Sequence, residues 1–137
     1  MLPQLLIATP DDNSLSLIYS ILDAALCLTP FDIATAEARS QAELFERIEL
    51  HQDDIVLLDW QLAGSETPNL VRDLLSRNPR LRVVVLLPEH YRPYRQLIWE
   101  AGACNGIPKE HMDQEWLSTV LCIMYRAMER EDKLSAK

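Results

Sequence analysis

Short runs of unbroken apolar residues alternate along the chain with longer segments in which apolar residues recur every three or four positions. The first run is "PQLLIAT" (3–9), and "DDNSLSLIYSILDAAL" (11–26) follows it with Leu15, Ile18, Ile21, Leu22 and Leu26 at helical intervals. Its Asp/Asn/Ser start supplies side-chain oxygens for the free N–H groups of a helix. The pattern then repeats. "FDIATA" (31–36) precedes "SQAELFERIEL" (40–50), which opens with Ser40 and Glu43 at capping-box spacing and places Leu44, Phe45 and Ile48 behind them. "DIVLLD" (54–59) sets four apolar residues between two aspartates, as suits a strand covered on both faces. Thr67-Pro68 then offers an N-cap and a first-turn proline to "NLVRDLLSRN" (69–78). "LRVVVLLP" (81–88) and "ACNGIP" (103–108) read as the fourth and fifth strands, flanking a helix from about Pro93 to Ala101, and a last helix runs from about Met112 to Glu129.

Five βα units in 137 residues, joined by short connections, predict an α/β fold with a doubly wound five-stranded parallel sheet. One domain over 1–130 accounts for all of them, with 131–137 as a short tail. In such sheets a site forms outside the carboxyl ends of the strands where strand order reverses. The segments to inspect are therefore Thr9–Asp12, Asp59–Gly64, Leu87–Glu89 and Pro108–Lys109.

Charge narrows the function classes. A net charge of −8 and a pI near 4.8 repel polyphosphate backbones, so no direct nucleic-acid partner is expected. The N-terminal "MLPQLLIATPDD" has no basic leader and too short an apolar run for a membrane span, which places the expected setting in the cytoplasm. Cys27, Cys104 and Cys122 are odd in number and widely spaced, as befits reduced thiols used for packing. His51, His90 and His111 fall in separate loops without metal-ligand spacing and are expected at the surface.

Two stretches carry a resemblance that covers nearly the whole chain. "LLDWQLAGSET" (57–67) is similar in length and shape to the third strand and following loop of bacterial response regulator receiver domains, where an apolar run leads into the phospho-accepting aspartate and "LxLPGxDG". "EAGACNGIPKE" (100–110) matches that family's "xAGAxGYxxKP" without a gap. The resemblance implies a flavodoxin-like (βα)5 fold with strand order 2-1-3-4-5. It implies Asp59 as the phospho-acceptor position, Gly64 as the loop glycine and Lys109 as the lysine that reaches the phosphoryl group.

Other positions depart from the family pattern. Aligning "LLIATPDDNSLSLIYSIL" with "VLIVDDxPxxRxxLxxLL" puts Thr9 and Pro10 where the acidic pair that holds Mg²⁺ should stand. Asp11 and Asp12 come one and two places late. In that register they are first-turn residues that stabilise a helix N-terminus; a shifted register makes Asp11, Asp12 and Asp59 a metal set. Leu87 replaces the strand-four Thr or Ser and can donate no hydrogen bond. Gly106 replaces the aromatic reporter on strand five, and Glu110 the proline after the lysine. Asp59 and Lys109 then read as a partly buried ion pair, with Trp60 covering the site.

The resemblance therefore implies a degenerate, stand-alone receiver-like signalling module that works through protein contacts without phosphorylation, without a cofactor and without catalysis of its own. The alternative is a functional single-domain response regulator phosphorylated on Asp59 by a histidine kinase with Mg²⁺, whose only activities are self-phosphorylation and autodephosphorylation at Asp59. A flavin-type binder is disfavoured because "ATPDDNS" (8–14) is acidic and proline-interrupted where a phosphate loop needs Ser, Thr and Gly. The last helix carries Leu117, Val120, Leu121, Met124 and Met128 at core spacing, with a second stripe of Trp116, Ile123 and Ala127. Together with Tyr91, Tyr94 and Trp99, that surplus points to a partner or homodimer surface on the face of helix four, strand five and helix five.

Overall fold

The computed structural model describes residues 2–135. Five strands, β1 (Gln4–Ala8), β2 (Ala34–Ala38), β3 (Ile55–Asp59), β4 (Arg82–Leu87) and β5 (Asn105–Pro108), alternate with five helices, α1 (Asp12–Leu26), α2 (Gln41–Glu49), α3 (Thr67–Arg77), α4 (Arg92–Glu100) and α5 (Gln114–Ser135). Every pairing is parallel, and the order across the sheet is β2-β1-β3-β4-β5, the doubly wound arrangement expected from the sequence.

Side-chain alternation along the strands splits the interior into two layers. Leu6, Val56, Leu58, Val83, Val85 and Leu87 face α2, α3 and α4. Leu5, Ile7, Ile55, Leu57, Val84 and Leu86 face α1 and α5, where they meet Ile18, Leu22, Leu117, Leu121 and Met124. The central strands β3 and β4 are covered on both faces, which is why their sequences show no polar alternation.

Several element ends differ from expectation, each for a local reason. Strand two begins at Ala34 rather than Phe31, because the Phe31 ring leaves the sheet to stack on Tyr125 of α5 at 4.1 Å. Thr67 is the first residue of α3 and donates its hydroxyl to the Gly64 carbonyl at 2.6 Å instead of capping N–H groups. Glu43 closes its box on the Arg39 N–H (2.6 Å), while Ser40 accepts from the Glu43 N–H as expected. Helix α4 stops at Gly102, whose φ of 107° is open to glycine and whose Cβ would lie 2.6 Å from Leu75 Cδ1. Helix α5 starts behind Asp113, which accepts the Trp116 N–H at 2.8 Å, and continues through residues 131–135, the part of the expected tail that the described residues include. An ion pair from Arg82 to Glu131 ties that last part to β4. The cysteines are not packing residues: Cys27 and Cys104 are exposed and Cys122 is half-buried. The three histidines lie at the surface as expected. Among the described residues no helix is long and apolar enough to cross a membrane.

Candidate functional site

The site stands at the carboxyl edge of the sheet. Ala8 pairs with Leu58, so the next residues, Thr9 and Asp59, lie side by side across the point where strand order reverses. Lys109 follows Pro108, the register partner of Leu87, and its side chain reaches back over the end of β4. The Asp59 side chain is wholly shielded from solvent. Its Oδ2 accepts the Thr9 hydroxyl at 2.7 Å and lies 2.8 Å from Lys109 Nζ, while Oδ1 accepts the Gln61 N–H at 3.1 Å. Both carboxylate oxygens are thus held by donors from three loops, as a buried charge requires.

The contacts continue into a closed ring. Lys109 Nζ donates to Ser14 Oγ (2.8 Å), and Ser14 Oγ donates to Asp11 Oδ2 (2.7 Å). The Ser14 N–H donates to the same Asp11 oxygen (3.0 Å), which makes Asp11 the N-cap of α1, and the Asp11 N–H returns to Thr9 Oγ1 (3.3 Å). The Ser14 hydroxyl, then its N–H, hold the Asp11 carboxyl below the usual carboxylate range. Arg39, from the end of β2, clamps the same loop through the Thr9 carbonyl (2.9 Å), the Pro10 carbonyl (3.2 Å) and an ion pair with Asp12.

These residues do not fit the Mg²⁺ that the family resemblance implies. In the ungapped register of the resemblance, a hydroxyl and a proline, Thr9 and Pro10, fall where the acidic pair is expected. The set Asp11, Asp12 and Asp59 is not assembled: Asp11 is turned onto Ser14, and Asp12 is 88% exposed and engaged by Arg39. Among the described residues no group of three His, Cys, Asp or Glu side chains is placed to hold a metal ion.

The remaining positions singled out around Asp59 are apolar or anionic. Leu87 is buried in the core behind Asp59. The space above Gly106 is filled from α4: a Cβ there would lie 2.5 Å from Ile98 Cδ1 and 3.3 Å from Leu87 Cδ1. No cis peptide bond occurs among the described residues, Pro108–Lys109–Glu110 included. Trp60 opens the turn after β3, half-buried, with its ring 4.5 Å from Tyr94. It lines a pocket of about 180 Å³ together with Asp59, Leu87, Glu89, Lys109 and Glu110.

The expected interface set divides. Trp99 (65% exposed) and Ile123 (62%) stand in solvent, whereas Tyr91, Tyr94 and Trp116 are half-buried against the core. Tyr91 contacts the His111 ring, and Tyr94 contacts Trp60 and His90, so these two tyrosines brace the loops beside Asp59. The sequence reading missed Ser14 and Arg39 as site residues and Ile98 as the filler over Gly106. Only Ser14 left a signal, three places after an aspartate at a helix start.

Comparison with known proteins places this geometry. No family model matches the sequence, and no curated protein matches it. Solved structures do. A response regulator receiver domain protein from Clostridium thermocellum superposes with a TM-score of 0.76 at 17% identity, covering 97% of this chain and 99% of that one. A putative response regulator from Chloroflexus aurantiacus gives 0.74 at 21% identity over 91% and 99% of the two chains. The signal receiver domain of an HD domain-containing protein from Pseudomonas fluorescens gives 0.75 at 17% identity over 96% and 92%. The chain has the fold of response regulator receiver domains.

Proposed function

We propose that the protein is a receiver-like regulatory module that acts by contact with another protein and does not depend on phosphorylation of Asp59. The ring through Thr9, Asp59, Lys109, Ser14 and Asp11 carries this reading. Phosphoryl transfer to a carboxylate needs a cation to offset the charge that accumulates. Here a hydroxyl and an ammonium already satisfy Asp59, and the surrounding ligands for a metal are turned away. Leu87 offers a phosphoryl oxygen no donor, and Glu89 and Glu110 line the pocket through which a phosphodonor would approach. The module catalyses nothing of its own, and its output surface is the face formed by α4, β5 and α5.

The second reading is a single-domain response regulator that takes phosphate from a histidine kinase onto Asp59, favoured by the direct Asp59–Lys109 contact. Incubation of the full chain with a small acyl phosphate and Mg²⁺, followed by intact-mass measurement, separates the two. We expect an unchanged mass. A gain of one phosphate on the wild type and none on Asp59→Asn supports the kinase-dependent reading instead.

A further inference from the structure

Arg82 opens β4 at the amino edge of the sheet, the end opposite Asp59, and its side chain is only 15% exposed. Among the described residues its guanidinium meets one acceptor, Glu131 Oε1, through Nη2. Its other two nitrogens have no acceptor, yet neither is sealed in the core. They open onto cavities. One, of about 470 Å³, is bounded by Leu75 near the end of α3, by Pro79 and Leu81 ahead of β4 and by Gly102 behind α4, with Arg82 and Glu131 as its charged wall. Arg80, itself partnered, also lines it. A smaller one, of about 190 Å³, sets Arg82 beside Val120 and Met124 of α5.

Glu131 is a loosely held occupant. Its side chain is 44% exposed, and the residues that follow it on α5, Asp132, Lys133 and Leu134, are all exposed. A tethered glutamate gives the guanidinium its counter-ion but leaves the wall of Leu75 and Pro79 unfilled.

We propose that Arg82 anchors a binding site for a small carboxylate with an aliphatic body, and that Glu131 is its built-in competitor. The ligand's carboxylate takes the place of the Glu131 carboxylate on the planar guanidinium, and its aliphatic part fills the larger cavity against Leu75 and Pro79. The last residues of α5 then lose their tie to β4. The net charge of −8 repels bare anions, so the apolar wall decides which carboxylates bind. The site lies at the other end of the sheet from Asp59 and is independent of the role proposed there.

Sodium octanoate titrated into the isotope-labelled full chain, followed by NMR, tests this, with 1-octanol and inorganic phosphate as controls. We expect millimolar octanoate to shift the amides of residues 81–82 and 102–104 and to quicken amide exchange over 131–135, and neither control to do so. Glu131→Gln removes the competing charge at a partly exposed position, where the fold is kept, and should bind octanoate roughly tenfold more tightly. Arg82→Gln should abolish binding, and the Glu131 comparison stands whether or not that second variant folds. Absence of the shifts in both wild type and Glu131→Gln, or the same shifts with octanol or phosphate, overturns the proposal. So does equal octanoate affinity in wild type and Glu131→Gln, binding kept in Arg82→Gln, or exchange over 131–135 that octanoate leaves unchanged.

Discussion

The Asp59 carboxylate is buried, and its partners decide whether it stabilises or strains the molecule. Thr9→Val keeps the shape of the side chain but removes the hydroxyl that reaches Oδ2. We expect a loss of about 1–2 kcal/mol in urea unfolding, the cost of a buried acceptor deprived of one donor. Lys109→Met should cost more, about 3 kcal/mol, because it leaves a shielded charge without its counter-ion, and Asp59→Asn in the same chain should restore much of it. Asp11 gives the site a pH dependence. Its pKa lies below the unfolded value of 3.8, so its cap is complete above that value and is lost as pH falls through the lower, folded pKa. Amide exchange in the first turn of α1, corrected for intrinsic rates, should quicken below about pH 4 and should lose that dependence in Asp11→Asn, since asparagine caps equally well without titrating. Asp59 and Lys109 were legible in the sequence because each sits inside a contiguous motif. Ser14 and Arg39 were not, because the bonds that recruit them span 95 and 30 residues and depend on which loops the fold brings together.

At the scale of elements, β4, β5 and α4 are joined by aliphatic contact at the positions where the resemblance led us to expect a hydroxyl and an aromatic ring. Ile98 lies against Gly106 and Leu87, so any side chain added at Gly106 must displace it. Gly106→Ala should cost no more than about 1 kcal/mol in urea unfolding, because the tip of the Ile98 side chain can give way toward the neighbouring cavity. Leu87→Thr should cost a similar amount or more, because it places a hydroxyl in an apolar layer and leaves a gap. His51, just past α2, holds a left-handed φ of 53°. His51→Gly should relieve roughly 1 kcal/mol and raise the melting temperature. The number, type and order of elements followed from hydrophobic period alone, since each strand and helix repeats one pattern. Their ends did not. Phe31 continues the apolar pattern of β2 yet packs on Tyr125, and residues 131–135 look like a polar tail yet extend α5 past the ion pair at Glu131. In both cases a tertiary contact set the boundary.

For the molecule as a whole, the doubly wound order is what turns separate residues into a site. It sets β1 beside β3 and leaves β5 one strand away, so that Thr9, Asp59 and Lys109 converge although 100 positions separate the first from the last. The same order makes β5 an outer edge of the sheet, at the opposite side from β2. The sequence made the surplus of apolar residues on the α4–β5–α5 face visible, but not the half-burial of Tyr91, Tyr94 and Trp116, which depends on how the loops close over the sheet edge. The proposed role of this edge rests on the claim that Thr9 and Lys109 satisfy Asp59 without a metal ion. Titration of the isotope-labelled protein with paramagnetic Mn²⁺, read by NMR, tests that claim most directly. We expect the amides of residues 8–12 and 59–61 to keep their line widths through millimolar metal; selective broadening of those amides that Mg²⁺ reverses would contradict it.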